Sequence, residues 1–400
     1  MTDTGNQTDP TMAPDPFAAA TLGPITLRNR IIKAATFEGM TPKGLVTDSL
    51  IDFHRRAAAG GAGVTTVSYL AVSREGVGAP NEIWLREKAL PGLRDLTDAI
   101  HAEGAAASAQ LGHAGAVGGI LPGKKRPLGP SWGINPMGGP VFTATEADMA
   151  RVTSDFAAGA RMLVEAGFDI LEVHLGHNYL LSSFLSPKWN RRKDKWGGSV
   201  ENRARFPRQV LRAIRDAVGD SVAVTAKMNM VDGVPGGIWL NDSIEVARLL
   251  EADGTLDALQ LTGGSSLANP MYLFRGEVPF REFTAVLPSF IRPAFKLVGS
   301  RFLKEYPFEE AFFLPYARQF REALDMPLIL LGGINRRDTI EQAMTEGFPF
   351  VAMARALLRE PDLVNKMQRG DSREALCVHC NKCMPTIYSG TRCVLVNDSA

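Results

Sequence analysis

The chain has 400 residues, 45% of them apolar, and a formal net charge of +1 at pH 7. This composition supports a large buried core and gives no indication of a nucleic acid or an anionic membrane as a partner. No run of about 18 apolar residues occurs, so no membrane span is predicted. The N-terminus lacks the pattern of a secretory signal, and the four cysteines are confined to positions 377–393, so a reducing, cytoplasmic setting is expected.

Residues 1–16 are rich in Thr, Asp and Pro, which predicts a disordered tail. After this tail, apolar runs alternate with helical patterns. The apolar runs predict strands at Ile31–Ala35, Val64–Leu70, Ala106–Leu111, Ile170–His174, Ala223–Met228, Ala258–Leu261, Leu328–Leu331 and Phe350–Ala354. The intervening patterns predict helices at Ser49–Ala59, Gly92–Glu103, Glu146–Ala166, Glu201–Val218, Asp242–Glu251, Leu314–Leu324 and Arg337–Glu346.

This alternation indicates the fold class. Continuously apolar strands separated by helices are typical of a parallel sheet that is covered on both faces. Eight such units predict an α/β fold of the (β/α)₈ TIM-barrel type rather than an open, doubly wound sheet. No Gly-x-Gly-x-x-Gly sequence follows a predicted strand, which weakens the open-sheet alternative further.

Two long insertions interrupt the regular spacing of the strands. Residues 112–145 follow the third strand and are rich in Gly and Pro, whereas residues 263–313 follow the sixth strand and are dense in Phe, Tyr and Arg. Both are interpreted as long loops, and residues 112–145 are expected to lie over the barrel mouth. Loops of this length in a compact domain usually serve as lids or binding loops. The alternative is that they form a contact surface for a partner or for an oligomer.

Polar side chains are concentrated at the end of the fourth predicted strand, where His174, His177 and Tyr179 follow a buried run. Residues three apart on a continuing strand would point to opposite faces, so the two imidazoles converge only if the chain turns here. Two imidazoles and a phenol can bind a carbonyl or phenolate oxygen and deliver a proton. The alternatives are a hydrogen-bonded pair that only shapes the loop, or two ligands of a metal for which no third ligand stands nearby.

The stretch 172–206 resembles the signature of the old yellow enzyme family of FMN-dependent ene-reductases, the NADH:flavin oxidoreductases. The matching residues are His174, His177, Tyr179, Leu180, 184–187, Asn190, Arg192, Asp194, Gly197, Gly198, Ser199, 201–203, Arg205 and Phe206. Asn178 stands where the family usually has Gly, and Trp196 where it has Tyr. The resemblance implies that residues 17–370 form an FMN-binding barrel and that residues 371–400 form a Cys-rich extension.

The resemblance also implies a reaction. His174 and His177 would polarise the carbonyl of a small-molecule substrate, and Tyr179 would protonate the α-carbon after hydride transfer from the flavin. NADH or NADPH would reduce the flavin in the same pocket. The expected activity is reduction of activated C=C bonds in enones or enoyl thioesters.

Candidate phosphate-binding residues lie at the ends of the last two strands. Gly332 and Gly333 follow the seventh strand, and Ala354 and Arg355 follow the eighth. Loops at these two positions form the common phosphate site of TIM barrels. The glycine backbone allows a phosphate group to approach closely, and Arg355 supplies a positive charge to bind it. An ordinary strand-end turn with a surface arginine is the alternative.

Candidate contacts for the flavin ring lie on three other strands. Gln110 ends the third strand and can both donate to and accept from the pyrimidine edge. Lys227 stands where the family usually has Arg, and its charge would stabilise the reduced flavin, unless it forms a structural ion pair. Ala35 and Thr36 end the first strand. Counting from the Asn-Arg pair at 29–30, the position of the family's flavin-tuning Thr or Cys is Phe37, so either Thr36 takes that role or the hydrogen bond is missing.

The C-terminal cysteines have the spacing Cys-x-x-Cys-x-x-Cys-x9-Cys. They are Cys377, Cys380, Cys383 and Cys393. This pattern resembles the branch of 2,4-dienoyl-CoA reductase and trimethylamine dehydrogenase, whose cysteines hold a [4Fe-4S] cluster, although two spacers are shorter here. A Cys₄ zinc site and a segment that binds nothing are the alternatives.

The position of the chain end bears on the source of electrons. In the multidomain branch, FAD- and NAD(P)H-binding domains follow the cysteines, whereas this chain ends at Ala400. Two expectations follow: an external electron-transfer partner serves the cluster, or NAD(P)H reduces FMN directly and the metal is structural. A flavin and iron–sulfur dehydrogenase that exchanges electrons with a separate partner is therefore the alternative to an ene-reductase.

Overall fold

The computed structural model describes residues 13–118, 126–136, 138–287, 289 and 292–396. Eight parallel strands pair in sequence order, and pairing of the last with the first closes the barrel. They are β1 (Ile31–Lys33), β2 (Val64–Ala71), β3 (Ala106–Gly112), β4 (Ile170–Leu175), β5 (Ala223–Val231), β6 (Ala258–Gly263), β7 (Leu328–Leu331) and β8 (Phe350–Met353). The predicted (β/α)₈ barrel is confirmed, and each strand lies where it was expected.

Helices cover the outside of the barrel. The main ones are Asp48–Ala59, Leu90–Ala102, Glu146–Glu165, Leu180–Leu185, Val200–Val218, Leu240–Asp253, Leu314–Ala323, Arg337–Thr345, Arg355–Arg359 and Leu363–Arg369. Their apolar faces are buried; Val200–Val218, for instance, turns Phe206, Val210 and Ile214 inward. Within the described part of the chain, no helix combines the length and apolar character needed to cross a bilayer.

The two ends of the barrel differ in polarity. At the N-terminal end, an antiparallel hairpin of Ala20–Leu22 and Ile25–Leu27 packs onto apolar residues that begin the strands. Toward the C-terminal end, the strands carry buried polar side chains, including Gln110, His174 and Lys227. A TIM barrel places its active site at this end. The predicted tail, residues 1–16, lies mostly outside the described residues, which begin at residue 13.

The insertion after β3 contains a short turn at Gly115–Gly118 and three small strands, Leu128–Gly129, Gly133–Ile134 and Pro140–Thr143. Residues 119–125 and 137 of this insertion lie outside the described part of the chain. The strands pair with one another as a separate small sheet.

The long insertion after β6 is present as predicted, and it contains three helices: Met271–Phe274, Phe280–Val286 and Arg292–Phe302. Several of its aromatic residues pack in a separate small cluster, which includes Met384 of the C-terminal segment. Part of the aromatic content of this insertion therefore has a packing explanation, and its role as a lid or a partner surface stays a prediction.

Asn190 stabilises the loop between the helices Leu180–Leu185 and Val200–Val218. Its Nδ2 donates to the carbonyl oxygens of Phe184 and Trp196, at 2.8 Å each, and the side chain is buried. We expect Asn190→Ala to lower the free energy of unfolding by about 1–3 kcal/mol, because two buried carbonyls lose their donor. Urea unfolding would measure this; Asn241→Ala, at an exposed helix position, is the control, and equal stability of both variants would contradict the assignment.

Candidate active site

The turn after β4 brings the predicted pair of imidazoles together. His177 and Asn178 both have left-handed backbone angles, with φ of 58° and 62°. The Asn229 Oδ1 accepts from the backbone N–H of His177 at 3.0 Å, which holds the turn against β5. As a result, the ring centroids of His174 and His177 lie 5.1 Å apart. The convergence expected from the sequence is therefore present.

Tyr179 lies beside the two histidines. Its ring lies 4.5 Å from that of His174, and it precedes the short helix Leu180–Leu185. Burial raises the pKa of the Tyr179 hydroxyl, and the charges of Glu82 and Tyr388 raise it further. The hydroxyl is therefore protonated throughout the neutral pH range and can act as a proton donor.

Both histidines are buried and neutral at pH 7. Burial and, to a smaller extent, the nearby charge of Lys227 lower the pKa of His177 to about 3. Burial also lowers the pKa of His174 well below its usual range, with smaller effects of His177 and Lys227. The Nε2 of His177 lies 3.1 Å from the Thr262 hydroxyl. A neutral imidazole has one N–H, so the pair can donate to a substrate atom without carrying charge.

The two residues predicted for the flavin's pyrimidine edge share a carboxylate. Glu172 Oε1 accepts from Gln110 Nε2 at 2.6 Å and from Lys227 Nζ at 2.9 Å. All three side chains are buried in the barrel interior. Lys227 thus forms the ion pair that was the structural alternative for it, and its ammonium group has two further N–H groups that can donate to a ligand.

At the end of β1, the side chain of Thr36 is engaged by a second buried ion pair. Lys33 Nζ donates to the Thr36 hydroxyl at 2.9 Å and lies 3.4 Å from Glu38 Oε1, while the Thr36 hydroxyl lies 3.3 Å from the same carboxylate. Ala35 precedes this group, and Phe37 has a left-handed φ of 45°. Whether Thr36 tunes the flavin remains a prediction.

The predicted phosphate turn has room only for glycine. Gly332 and Gly333 have φ of 115° and 73°, and a Cβ at either position would lie about 2.5 Å from the ring of Phe313 or Phe312. This contact is itself a packing reason for glycine, so the phosphate role remains a prediction. Arg355 directs its Nη1 to the Arg275 carbonyl at 2.8 Å and to Asn381 Oδ1 at 2.5 Å, which links it to the cysteine segment.

The four cysteines lie on one segment and have free thiols. Burial is the main reason that the pKa of Cys383 is raised to about 11; the charge of Arg355 opposes this shift, and the other three thiols add to it. Among residues 13–118, 126–136, 138–287, 289 and 292–396, however, no group of three or more His, Cys, Asp or Glu is arranged to hold a metal. The thiol positions therefore do not form a closed ligand set.

Comparison with known proteins now identifies the family. The model of the NADH:flavin oxidoreductase / NADH oxidase family matches residues 16–260, which is more than half of the chain. The chain belongs to this family. It is therefore an FMN oxidoreductase, as the signature at 172–206 suggested, and NAD(P)H is the reductant associated with the family.

Three proteins show different degrees of similarity to this NADH:flavin oxidoreductase. The 4,4'-dithiodibutanoate disulfide reductase of Rhodococcus erythropolis is 61% identical over 388 residues, which cover 96% of each chain. The structure of a 2-naphthoyl-CoA reductase has a TM-score of 0.76 and 27% identity; the match covers 89% of this chain and 52% of that one, so the chain spans about half its length. The old yellow enzyme homologue from Zymomonas mobilis has a TM-score of 0.70 at 19% identity, covering 92% and 96%, and supports the fold.

The residues of this oxidoreductase fit a flavin at the C-terminal end of the barrel. Gln260 lies opposite Lys227 in the β5–β6 register, and its buried Nε2 has no hydrogen-bond partner among the described residues. An amide donor without a partner, next to Lys227 on the neighbouring strand, suits a ligand with several acceptors, such as the pyrimidine edge of FMN. The side chains that the sequence analysis missed are Glu172, Asn229 and Thr262. Glu172 could have been suspected, because it is the one carboxylate in a strand whose other residues, apart from His174, are apolar.

Proposed function

We propose that this chain is an NAD(P)H-driven, FMN-dependent reductase of small organic disulfides, with 4,4'-dithiodibutanoate as the first substrate to test. The proposal is based on the similarity to 4,4'-dithiodibutanoate disulfide reductase, which is 61% identical to this chain over 96% of both chains. In balanced form, one disulfide, one NAD(P)H and one proton give two thiols and NAD(P)⁺. The S–S bond breaks, and each sulfur gains a hydrogen.

FMN would lie across the C-terminal end of the barrel. The residues proposed to hold it are Ala35, Thr36, Gln110, Lys227, Gly332, Gly333, Ala354 and Arg355. Bound FMN supplies hydride transfer at N5 after its reduction by NAD(P)H. The glycine turn offers bare backbone to the phosphate, while Gln110 and Lys227 offer a donor set to the ring.

The chain's own groups would act on the substrate. The neutral N–H groups of His174 and His177 are proposed to face the atom where negative charge develops: a thiolate sulfur or a carbonyl oxygen. Donors that are already oriented in a buried site stabilise such charge more than water does. Tyr179, which is kept protonated by its burial, would hold the proton beside them.

A second candidate is reduction of activated C=C bonds in enones or enoyl thioesters. The placement of Tyr179, with its ring 4.5 Å from His174, favours this reaction, because the α-carbon needs a proton from an acid. The 27% identity with a 2-naphthoyl-CoA reductase also supports it. Both candidates use the same flavin and the same pair of histidines.

The cysteine segment is assigned no step in either reaction. The proposals for it remain a [4Fe-4S] cluster, a zinc site or no metal, with an external electron-transfer partner if a cluster is present. Quantification of iron, zinc and sulfide per chain in anaerobically purified protein decides among them. About four iron and four sulfide would support the cluster and the alternative role as a dehydrogenase that exchanges electrons with a partner.

The proposed function predicts the behaviour of the purified protein under anaerobic conditions. We expect about one FMN per chain, bleached by NADH or NADPH and reoxidised by 4,4'-dithiodibutanoate at least about tenfold faster than by cyclohexenone, with two thiols formed per flavin. Thiol release and flavin absorbance measure this. Faster reoxidation by the enone would favour the second candidate, and absence of FMN or of reoxidation by either compound would contradict both.

A further inference from the structure

Glu172 occupies a position that neither proposed reaction uses. It lies on β4 with only 4% of its surface exposed, between Gln110 on β3 and Lys227 on β5. A single oxygen, Oε1, accepts from both neighbours, at 2.6 and 2.9 Å. A buried carboxylate is costly unless it is paired, so these contacts explain how Glu172 is tolerated but not why it is there.

The pair of Glu172 and Lys227 is electrically neutral. Among the described residues, each forms an ion pair only with the other. Gln110 is fixed from its other side, because its Oε1 accepts from the Ser68 hydroxyl at 3.3 Å. The Ser68 backbone N–H in turn donates to Glu38, the partner of Lys33. The interior polar strip therefore contains two lysines and two glutamates and has no net charge.

We propose that Glu172 is a positioning residue that holds Lys227 and Gln110 and offsets the lysine charge, and thereby lowers the reduction potential of bound FMN. This inference rests on the proposed placement of the flavin's pyrimidine edge against Gln110 and Lys227. Reduced flavin carries negative charge at that edge, so an unopposed cation would stabilise it strongly. A neutral ion pair stabilises it less, because the field of the carboxylate opposes that of the ammonium group.

Glu172→Gln tests this inference, since the amide keeps the size of the side chain and an oxygen that can accept from Lys227. The probe is sulfite, which binds oxidised flavin as an anionic adduct and is stabilised by the same positive charge. We expect Glu172→Gln to tighten sulfite binding at least about tenfold and to shift the potential to more positive values. Lys227→Met should weaken sulfite binding by a similar factor. Asp253→Asn breaks an ion pair with Arg208 in the outer helical layer and should change sulfite binding less than about twofold.

The double variant Glu172→Gln/Lys227→Met provides a second test, which applies even if a single variant with one unpaired buried charge does not fold. Because it replaces one neutral pair with another, its sulfite affinity should lie within about threefold of the unmodified protein. An unchanged or weakened affinity in Glu172→Gln, or a double variant that behaves like Lys227→Met, would overturn the inference. If the unmodified protein binds no FMN, the proposed function fails instead, which flavin content reports separately.

Discussion

Tyr179→Phe is expected to slow the reoxidation of reduced flavin by an enone about 10²- to 10⁴-fold, while slowing reoxidation by 4,4'-dithiodibutanoate less than about tenfold. The carbon that forms when a C=C bond accepts hydride is strongly basic and needs an acid. A thiolate leaving group is stable in water near neutral pH, because thiol pKa values lie near 8.5. The same hydroxyl is therefore needed in one reaction and dispensable in the other.

The substitution removes the hydroxyl and keeps the packing of the ring. The Tyr179 ring packs at 4.5 Å from His174 and at 5.5 Å from Tyr69, contacts that phenylalanine retains. The matched control is Tyr69→Phe, which removes a neighbouring hydroxyl that donates to the Gly76 carbonyl. Stopped-flow measurement of both half-reactions reports the result. Flavin reduction by NAD(P)H should be unaffected, and equal slowing of the enone and disulfide reactions would contradict a role in proton donation.

The pH dependence of enone reduction should also test the role of Tyr179 as a proton donor. Burial raises the pKa of Tyr179, so its proton is present below that raised value and is lost only as pH rises through it. The enone rate should therefore not fall between pH 7 and 9 through loss of this proton. The disulfide rate does not depend on the hydroxyl and provides the reference.

The barrel could be predicted because its signal is local. Each strand is a short apolar run such as Leu328–Leu331, whose burial on both faces shows directly in its composition. The helices of the second insertion could not be predicted in the same way. Met271–Phe274 and Phe280–Val286 are only 4 and 7 residues long, too short to form on their own, and they depend on packing within the aromatic cluster.

The candidate site residues could be predicted from the sequence, but the hydrogen bonds and ion pairs between them and their partners could not. His174, His177 and Tyr179 are neighbours in sequence, so a single turn brings them together. The partners that orient and charge-balance the site, Glu172 and Asn229, act across strands. Which strands are adjacent, and in which register, emerges only when the barrel closes. Sequence reasoning therefore found the residues proposed to face a substrate more readily than those that hold them.

The buried histidines also predict how stability depends on pH. Burial lowers the pKa of His177 to about 3, whereas in the unfolded chain it is about 6.5. Above pH 6.5 the side chain is neutral in both states, and its contribution is fully present. As pH falls below 6.5, the unfolded chain binds a proton that the folded protein cannot, so the free energy of unfolding decreases until pH approaches 3.

His177→Asn should therefore reduce the loss of stability between pH 7 and pH 5 by about 2 kcal/mol. Asparagine suits the test, because it does not titrate and tolerates the left-handed φ of 58° at this position. The backbone N–H can still donate to Asn229, whereas the contact with Thr262 is lost at both pH values and cancels in the difference. Urea unfolding of both proteins at saturating FMN measures the effect. Parallel pH profiles would mean that His177 can take up a proton in the folded protein, and the neutral donor assigned to it in the reaction would then be wrong as well.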